Sequence, residues 1–151
     1  MAAPLRLHTA QQLREITRNM GALLIINDDL NLCLECDADG VHLGQEDTPV
    51  SLARQQLGRN KIIGATCHGS EALANTAIDQ GANYLAFGRF FASRTKPDAL
   101  PADLETLKPF LQRCPLPTVA IGGITLNNAA PLVDAGFTML AVINDLFDRS
   151  D

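Results

Sequence analysis

Two aspartates follow buried segments of this sequence at positions that suit metal ligands. Asp28 ends the apolar segment 23–28, and Asp47 lies shortly after the next such segment, 39–44. Carboxylates at the ends of adjacent strands can hold Mg²⁺, which commonly bridges protein carboxylates to a substrate pyrophosphate. The alternative is that both aspartates cap helices or form turns. The placement therefore indicates a candidate magnesium site and leaves the turn interpretation open.

Two further segments have the composition of an anion site. Residues 93–96, Ser-Arg-Thr-Lys, offer hydroxyls and cations in a short loop, although an ordinary solvated loop has the same composition. Gly122 and Gly123 allow backbone N–H groups to approach an anion closely. Thr125 is expected to begin a helix whose N-terminus favours negative charge. A glycine pair alone has little specificity.

The histidines and cysteines indicate no catalytic centre of their own. His42 lies inside an apolar segment, which favours a hydrogen-bonded interior residue over a general base, and His68 is a weaker site candidate at a segment end. Cys33 and Cys36 form a C-x2-C pair, but a zinc site needs a second ligand pair at suitable spacing. We therefore expect reduced cysteines that act as small apolar residues. The sequence contains no Ser/His/Asp constellation and no GxGxxG element.

Six short aliphatic segments must position these residues. They are 23–28, 39–44, 61–67, 84–91, 118–124 and 138–144. Most are nearly continuous apolar runs, which is typical of strands buried on both faces in a parallel sheet. The polar and glycine residues named above cluster at their carboxyl ends, where parallel α/β folds place their functional groups.

Segments with helical spacing alternate with the predicted strands. They are 9–20, 30–37, 50–57, 70–80, 102–111 and 126–134. Thr9, Ser70 and Thr125 are predicted N-caps, and Leu13, Ile16 and Met20 share one face of the first helix. The alternation allows an open doubly wound sheet or a (β/α)8 barrel.

The barrel prediction is an incomplete one. A full (β/α)8 barrel takes at least ~200 residues, and this chain of 151 residues supplies one helix and six strand-helix units. We therefore predict a single domain over residues 1–151, an α/β fold of the TIM-barrel type with about six parallel strands and the first two missing. Unpaired sheet edges lead us to expect self-association into a homo-oligomer or poor stability.

Composition excludes some classes of partner. The net charge of −5 and the absence of Trp give no basic surface for nucleic acid. The apolar runs are far shorter than the roughly 20 residues of a membrane span, and the first residues do not resemble a secretory signal. We expect a cytoplasmic protein.

Taken in order, five motifs resemble those of the thiamine phosphate synthase family. The family pattern is IND at a strand end, then H-x-G-Q-x-D, G-x-S/T, an aromatic-rich G-x-x-(F/Y)-x-(S/T)-x-T-K, and AIGGI. The corresponding segments are IND at 26–28, HLGQED at 42–47, GAT at 64–66, GRFFASRTK at 88–96 and AIGGI at 120–124. The resemblance covers nearly the whole chain, and five ordered motifs are specific.

The resemblance implies a Mg²⁺-dependent coupling of hydroxymethylpyrimidine pyrophosphate with thiazole phosphate, which gives thiamine phosphate and pyrophosphate. The implied metal ligands are Asp28 and Asp47. The implied pyrophosphate contacts are Asn27, Thr66 and Lys96, which are also the implied catalytic residues. The implied contacts to the thiazole phosphate are Ser93, Thr95, Gly122, Gly123, Ile143 and Asn144.

The chain departs from the family pattern in two places. Nothing before Thr9 supplies the family's basic motif Q-(L/Y)-R-x-K, and Ile143-Asn144 stands where the last strand usually ends in Ser. Asn retains a hydrogen-bond donor, so this second departure is mild. Loss of the basic strand favours a non-catalytic, TenI-like phosphate-binding or regulatory protein. Retention of five family residues favours the synthase: Asn27, Asp28, Asp47, Thr95 and Lys96. A related thiazole tautomerase would be expected to lack the IND and T-K motifs.

Overall fold

The computed structural model describes residues 3–92 and 101–147. The helices are α1 (Ala3–Asn19), α2 (Leu30–Glu35), α3 (Val50–Leu57), α4 (Glu71–Asp79), α5 (Leu104–Leu111), α6 (Ala130–Asp134) and α7 (Asn144–Phe147). The strands are β1 (Ile25–Asn27), β2 (Gly40–Leu43), β3 (Ile62–His68), β4 (Tyr84–Phe87), β5 (Thr118–Ile121) and β6 (Met139–Ala141). Each strand overlaps one of the six predicted segments, and β4 ends four residues before its segment does.

The strand order identifies the architecture. All six strands are parallel and lie in the order β1-β2-β3-β4-β5-β6. Parallel crossovers are right-handed, so a sheet that always adds the next strand on the same side carries its helices on one face. A doubly wound sheet would require a reversal of strand order, which is missing from the described sheet. The predicted barrel-type arrangement is therefore confirmed, with β1 and β6 as edge strands.

The hydrophobic core lies between the sheet and the helices. The largest buried side chains of the central strands are Val41, Leu43, Ile63, Leu85 and Phe87. The ring of Phe87 packs against Phe110 of α5 and against Phe137, at centroid distances of 5.9 Å and 6.1 Å. Because side chains alternate across a strand, His42 lies on the opposite face from its neighbours Val41 and Leu43. This second face carries the polar groups described below.

Two of the three predicted helix caps are wrong. Ser70 caps α4 as expected, since its Oγ accepts a hydrogen bond from the Leu73 amide. Thr9 lies inside α1, where its hydroxyl donates to the Leu5 carbonyl. Thr125 begins no helix, because α6 begins at Ala130.

The shared apolar face of α1 is exposed. Leu13, Ile16 and Met20 keep 45%, 58% and 78% of their surface in contact with solvent. The other side of α1 packs through the buried Ala10, and Arg14 donates to the Asp39 carboxylate and the Asp37 carbonyl. The helix is therefore fixed to the loop between α2 and β2, and it leaves an apolar surface exposed.

Candidate functional site

The candidate site lies at the carboxyl ends of the strands. Asn27 is the last residue of β1, Asp28 follows it, and Thr66 lies near the end of β3. Parallel pairing places Asn27 beside His42 of β2, and the ends of β1, β2 and β3 form one continuous rim. Of the predicted residues, those on the first three strands therefore share one edge of the sheet.

Asp28 occupies a sharp turn between β1 and α2. Its backbone has a φ of 65°, its amide donates to the His42 carbonyl at 2.8 Å, and its side chain is exposed. The next residue, Asp29, carries out the capping that the alternative interpretation assigned to these aspartates. Its carboxylate accepts from the Leu32 amide and pairs with Arg6 at 2.9 Å. Asp29 caps the helix, so Asp28 is not needed for that role.

Asp47 closes the loop that follows β2. Its Oδ2 accepts a 2.7 Å hydrogen bond from the Gly44 amide, which fixes the carboxylate against the end of the strand. In the same loop, the Gln45 side chain donates to the Thr66 carbonyl. The loop after β2 is thus joined to β3, and both the Asp47 carboxylate and Thr66 are held at the rim.

A cavity of about 550 Å³ adjoins this rim. Its lining includes Asp28, Asp29 and Thr48, with Arg6 of α1 and residues of α2 and α3. Of the predicted site residues in the described part of the chain, Asp28 alone lines this cavity, whereas Asn27, Asp47 and Thr66 do not. The cavity therefore borders the rim at Asp28 and lies mainly against the helices.

The predicted metal ligands, Asp28 and Asp47, offer carboxylate oxygens, which are the donor type that Mg²⁺ prefers. Among residues 3–92 and 101–147, no three His, Cys, Asp or Glu side chains are grouped closely enough to form a complete metal site. Mg²⁺ rarely needs one, since it keeps several waters and binds through one or two carboxylates plus phosphate oxygens. The donor set of Asp28 and Asp47 has this character.

A hydrogen-bonded row of side chains crosses the polar face of the sheet. His42 Nε2 lies 2.9 Å from Thr66 Oγ1, and His42 Nδ1 lies 2.9 Å from the Tyr84 hydroxyl. The imidazole and phenol rings are stacked, with centroids 5.5 Å apart. The sequence interpretation of His42 as a hydrogen-bonded interior residue is confirmed. It missed Tyr84, whose contact with His42 spans 42 residues and leaves no local signal.

The glycine pair after β5 serves close packing between loops. Gly122 and Gly123 have φ angles of 101° and 64°. A Cβ on Gly123 would lie 2.3 Å from the Ala92 carbonyl oxygen, and the Gly122 carbonyl accepts from the Phe91 amide. The pair therefore contacts the segment that leads directly to Ser93.

Two hydrogen bonds of the Asn128 side chain hold the segment in which a helix was predicted to begin at Thr125. Asn128 Oδ1 accepts from the Thr125 amide, and Asn128 Nδ2 donates to the Gly123 carbonyl. Pro131 lies in the first turn of α6, where its missing N–H is tolerated, and it is the sequence signal for the later start. No helix N-terminus therefore directly follows the glycine pair.

The remaining predicted site residues fall into two groups. Ser93, Thr95 and Lys96 lie outside the described residues. Ile143 is half-exposed after β6, and Asn144 is the first residue of α7. The neighbouring Asp145 accepts a hydrogen bond from the Leu126 amide at 3.1 Å, which joins the loops after β5 and β6. Ile143 and Asn144 therefore lie at the same rim as the glycine pair.

The cysteines are free, and three of them belong to the core. Cys33, Cys36 and Cys67 are buried, and burial raises the pKa of the Cys33 thiol to about 11 and that of Cys67 to about 12. They act as the small apolar residues that the sequence suggested.

None of the described helices is both long and apolar enough to span a membrane.

A sequentially ordered parallel sheet with acidic, amide and hydroxyl groups at its carboxyl rim defines a TIM-barrel-type α/β protein. Residues 1–146 match the family model described as thiamine monophosphate synthase. The chain belongs to this family, whose function is the synthesis of thiamine phosphate, a transferase reaction of thiamine biosynthesis.

Individual relatives agree with the family assignment. The chain is similar to thiamine-phosphate synthases of Alcanivorax borkumensis, with 49% identity over 97% of the chain, and of Saccharophagus degradans, with 52% identity over 94%. It spans about two thirds of these relatives, 67% and 65% of their lengths. Its fold matches a thiamine phosphate pyrophosphorylase from Pyrococcus furiosus with a TM-score of 0.90 and 34% identity, over 100% of this chain and 72% of the other.

Proposed function

We propose that this chain provides the pyrophosphate and magnesium site of a thiamine-phosphate synthase. The substrates are hydroxymethylpyrimidine pyrophosphate and thiazole phosphate, and the products are thiamine phosphate and pyrophosphate. The observation that carries the proposal is the common rim that holds Asn27, Asp28, Asp47 and Thr66. Family membership supplies the identity of the substrates.

The reaction requires electrostatics and positioning more than covalent chemistry from the protein. The bond between the pyrimidine methylene carbon and pyrophosphate breaks, and the electron pair leaves with pyrophosphate. The thiazole nitrogen then donates its lone pair to the resulting pyrimidine cation, and no proton is transferred. A protein nucleophile is unnecessary, which agrees with the absence of a catalytic triad from the sequence.

Each named residue has a role in this scheme. Asp28 and Asp47 would hold Mg²⁺, and the ion would supply positive charge to the departing pyrophosphate. Asn27 and Thr66 donate hydrogen bonds to its oxygens, and Lys96 supplies a positive charge.

The thiazole phosphate occupies the other part of the rim. Ser93, Thr95 and the backbone of Gly122 and Gly123 bind its oxygens, and Ile143 and Asn144 border it. The contact between Gly123 and the segment before Ser93 supports a shared subsite for these residues. Both ligands are small phosphorylated molecules, and we propose a cytoplasmic location for the protein.

The test is an assay of thiamine phosphate formation by this chain and by a version extended upstream with two strand-helix units from a relative. Turnover by either form supports the proposal, and turnover by the extended form alone assigns the additional requirement to those strands. Absence of turnover from both forms contradicts it and favours a non-catalytic phosphate-binding protein. Asp28→Asn should sharply lower Mg²⁺-dependent turnover, whereas the matched change Asp79→Asn, on an exposed carboxylate at the end of α4, should not.

A further inference from the structure

The row Tyr84–His42–Thr66 links three neighbouring strands through the two nitrogens of one imidazole. Both contacts measure 2.9 Å, so the ring is held at each end. A neutral imidazole has one donor and one acceptor nitrogen. Whichever group donates to His42 at one end therefore determines what His42 presents to Thr66 at the other.

Tyr84 favours one direction of this row. The phenol is partly buried, burial raises its pKa to about 12, and it therefore keeps a proton to donate at neutral pH. His42 Nδ1 lies 2.9 Å from this hydroxyl and can accept its hydrogen bond. With Nδ1 accepting, the ring proton resides on Nε2 and is donated to Thr66 Oγ1.

Gly64 allows Tyr84 to reach this position. A Cβ at residue 64 would lie 2.0 Å from Tyr84 Cζ and 2.3 Å from its hydroxyl oxygen, so the aromatic ring lies directly over this part of β3. Gly64 and Tyr84 are also register partners in the sheet. The stacked geometry thus depends on the absence of a side chain at residue 64.

The tautomer of His42 decides whether the Thr66 hydroxyl donates or accepts in this contact. If Thr66 Oγ1 accepts from His42, its own hydrogen is directed elsewhere and is available to an anion at the rim. With the opposite tautomer, Thr66 would donate to His42 and turn only lone pairs towards a phosphate oxygen. The Thr66 backbone is held separately by Gln45, so the hydroxyl direction is the variable that His42 controls.

We infer that His42 is a positioning residue that orients the Thr66 hydroxyl as a hydrogen-bond donor to the pyrophosphate. The inference rests on the proposed function, because it takes the pyrophosphate as the ligand of Thr66. In this inference Tyr84 sets the histidine tautomer, and Thr66 makes the contact with the pyrophosphate. A purely structural row would stabilise the sheet without selecting the direction of its hydrogen bonds.

The first experiment reads the tautomer without any ligand. Side-chain ¹⁵N chemical shifts of His42 in the intact chain at neutral pH should show a protonated Nε2 and an unprotonated Nδ1. Tyr84→Phe should remove this preference and leave the fold intact. Observation of the Nδ1–H tautomer in the unaltered chain would overturn the inference and leave the proposed function untouched.

The second experiment measures binding of inorganic pyrophosphate with Mg²⁺ by calorimetry. His42→Leu should weaken binding about tenfold or more, the scale of one hydrogen bond to a charged group. His42→Gln, whose amide N–H₂ can replace Nε2–H, should restore most of the affinity. Thr66→Val should lose a similar factor, and the double variant with His42→Leu should lose little more, because both act through one hydroxyl.

The outcomes distinguish a failure of the proposed function from a failure of the role assigned to His42. No binding by the unaltered chain would contradict the proposed function. Binding by the unaltered chain with equal affinity in His42→Leu, or additive losses in the double variant, would contradict the role of His42. Amide spectra of each variant establish that the protein measured is folded.

Discussion

The Gly44 amide donates a 2.7 Å hydrogen bond to Oδ2 of Asp47, and this contact fixes a carboxylate at the end of β2 before any ligand binds. An anchored carboxylate loses less conformational entropy when it meets a cation. Asp47 contributes both a hydrogen-bond acceptor and a negative charge. An amide oxygen at this position would keep the acceptor and remove the charge, so the two contributions can be measured separately.

The variants Asp47→Asn and Asp47→Ala are expected to differ in their effect on the loop after β2. They are expected to have the same effect on metal binding. Both remove a carboxylate ligand, so both should weaken Mg²⁺-dependent pyrophosphate binding by at least the 10–100-fold typical of lost metal-site partners. Only Asp47→Ala removes the acceptor for Gly44, so hydrogen exchange of that amide should accelerate in this variant alone. Unchanged binding in Asp47→Asn would remove Asp47 from the metal site.

Gly123→Ala is expected to destabilise the fold by about 1–3 kcal/mol, since a Cβ there meets the Ala92 carbonyl at 2.3 Å. Gly21→Ala is the matched control. Gly21 has nearly the same φ, 68° against 64°, with nothing within 4 Å of the added Cβ. Urea unfolding should therefore show a larger loss for Gly123→Ala, and the difference measures the close approach of the two loops. Equal losses would mean that the backbone angle alone requires glycine.

Sequence periodicity predicted the sheet because its signal is local. Nearly continuous apolar runs indicate buried parallel strands, and six such runs became six strands in chain order. Helix starts were less reliable where a proline marked the first turn. Pro4 lies in the first turn of α1, well before Thr9, and Pro131 lies in that of α6, beyond Thr125.

The sequence allowed the candidate residues to be named, but it did not allow the contacts between their side chains to be predicted. The placement of Asp28 and Asp47 at neighbouring strand ends follows from the order of the strands. The row from Tyr84 through His42 to Thr66 does not, because it depends on a register between strands that only the folded sheet establishes.

The buried thiols should make the protein sensitive to alkali. Folding raises the pKa of Cys67 from 9.0 to about 12, so above pH 9 the unfolded chain loses a proton that the folded chain keeps. Stability is therefore fully retained below pH 9 and falls as the pH rises towards 12, by at most about 1.4 kcal/mol per pH unit for one thiol. Cys67→Ala should flatten this slope in urea unfolding measured at a series of pH values, after allowance for its lower stability at neutral pH. An unchanged slope in Cys67→Ala would contradict the assignment.

The apolar face of α1 should make the protein self-associate. Leu13 and Ile16 of α1, with Met20 directly after its end, form an exposed apolar stripe, and such surfaces favour association. We expect the average mass measured by light scattering to rise with protein concentration and Ile16→Glu to suppress that rise without a loss of folded structure. Val133→Glu is the matched control, since Val133 is 54% exposed on α6, away from this stripe, and should leave the rise unchanged. A constant monomer mass, or equal suppression by both variants, would exclude the α1 face as the site of association.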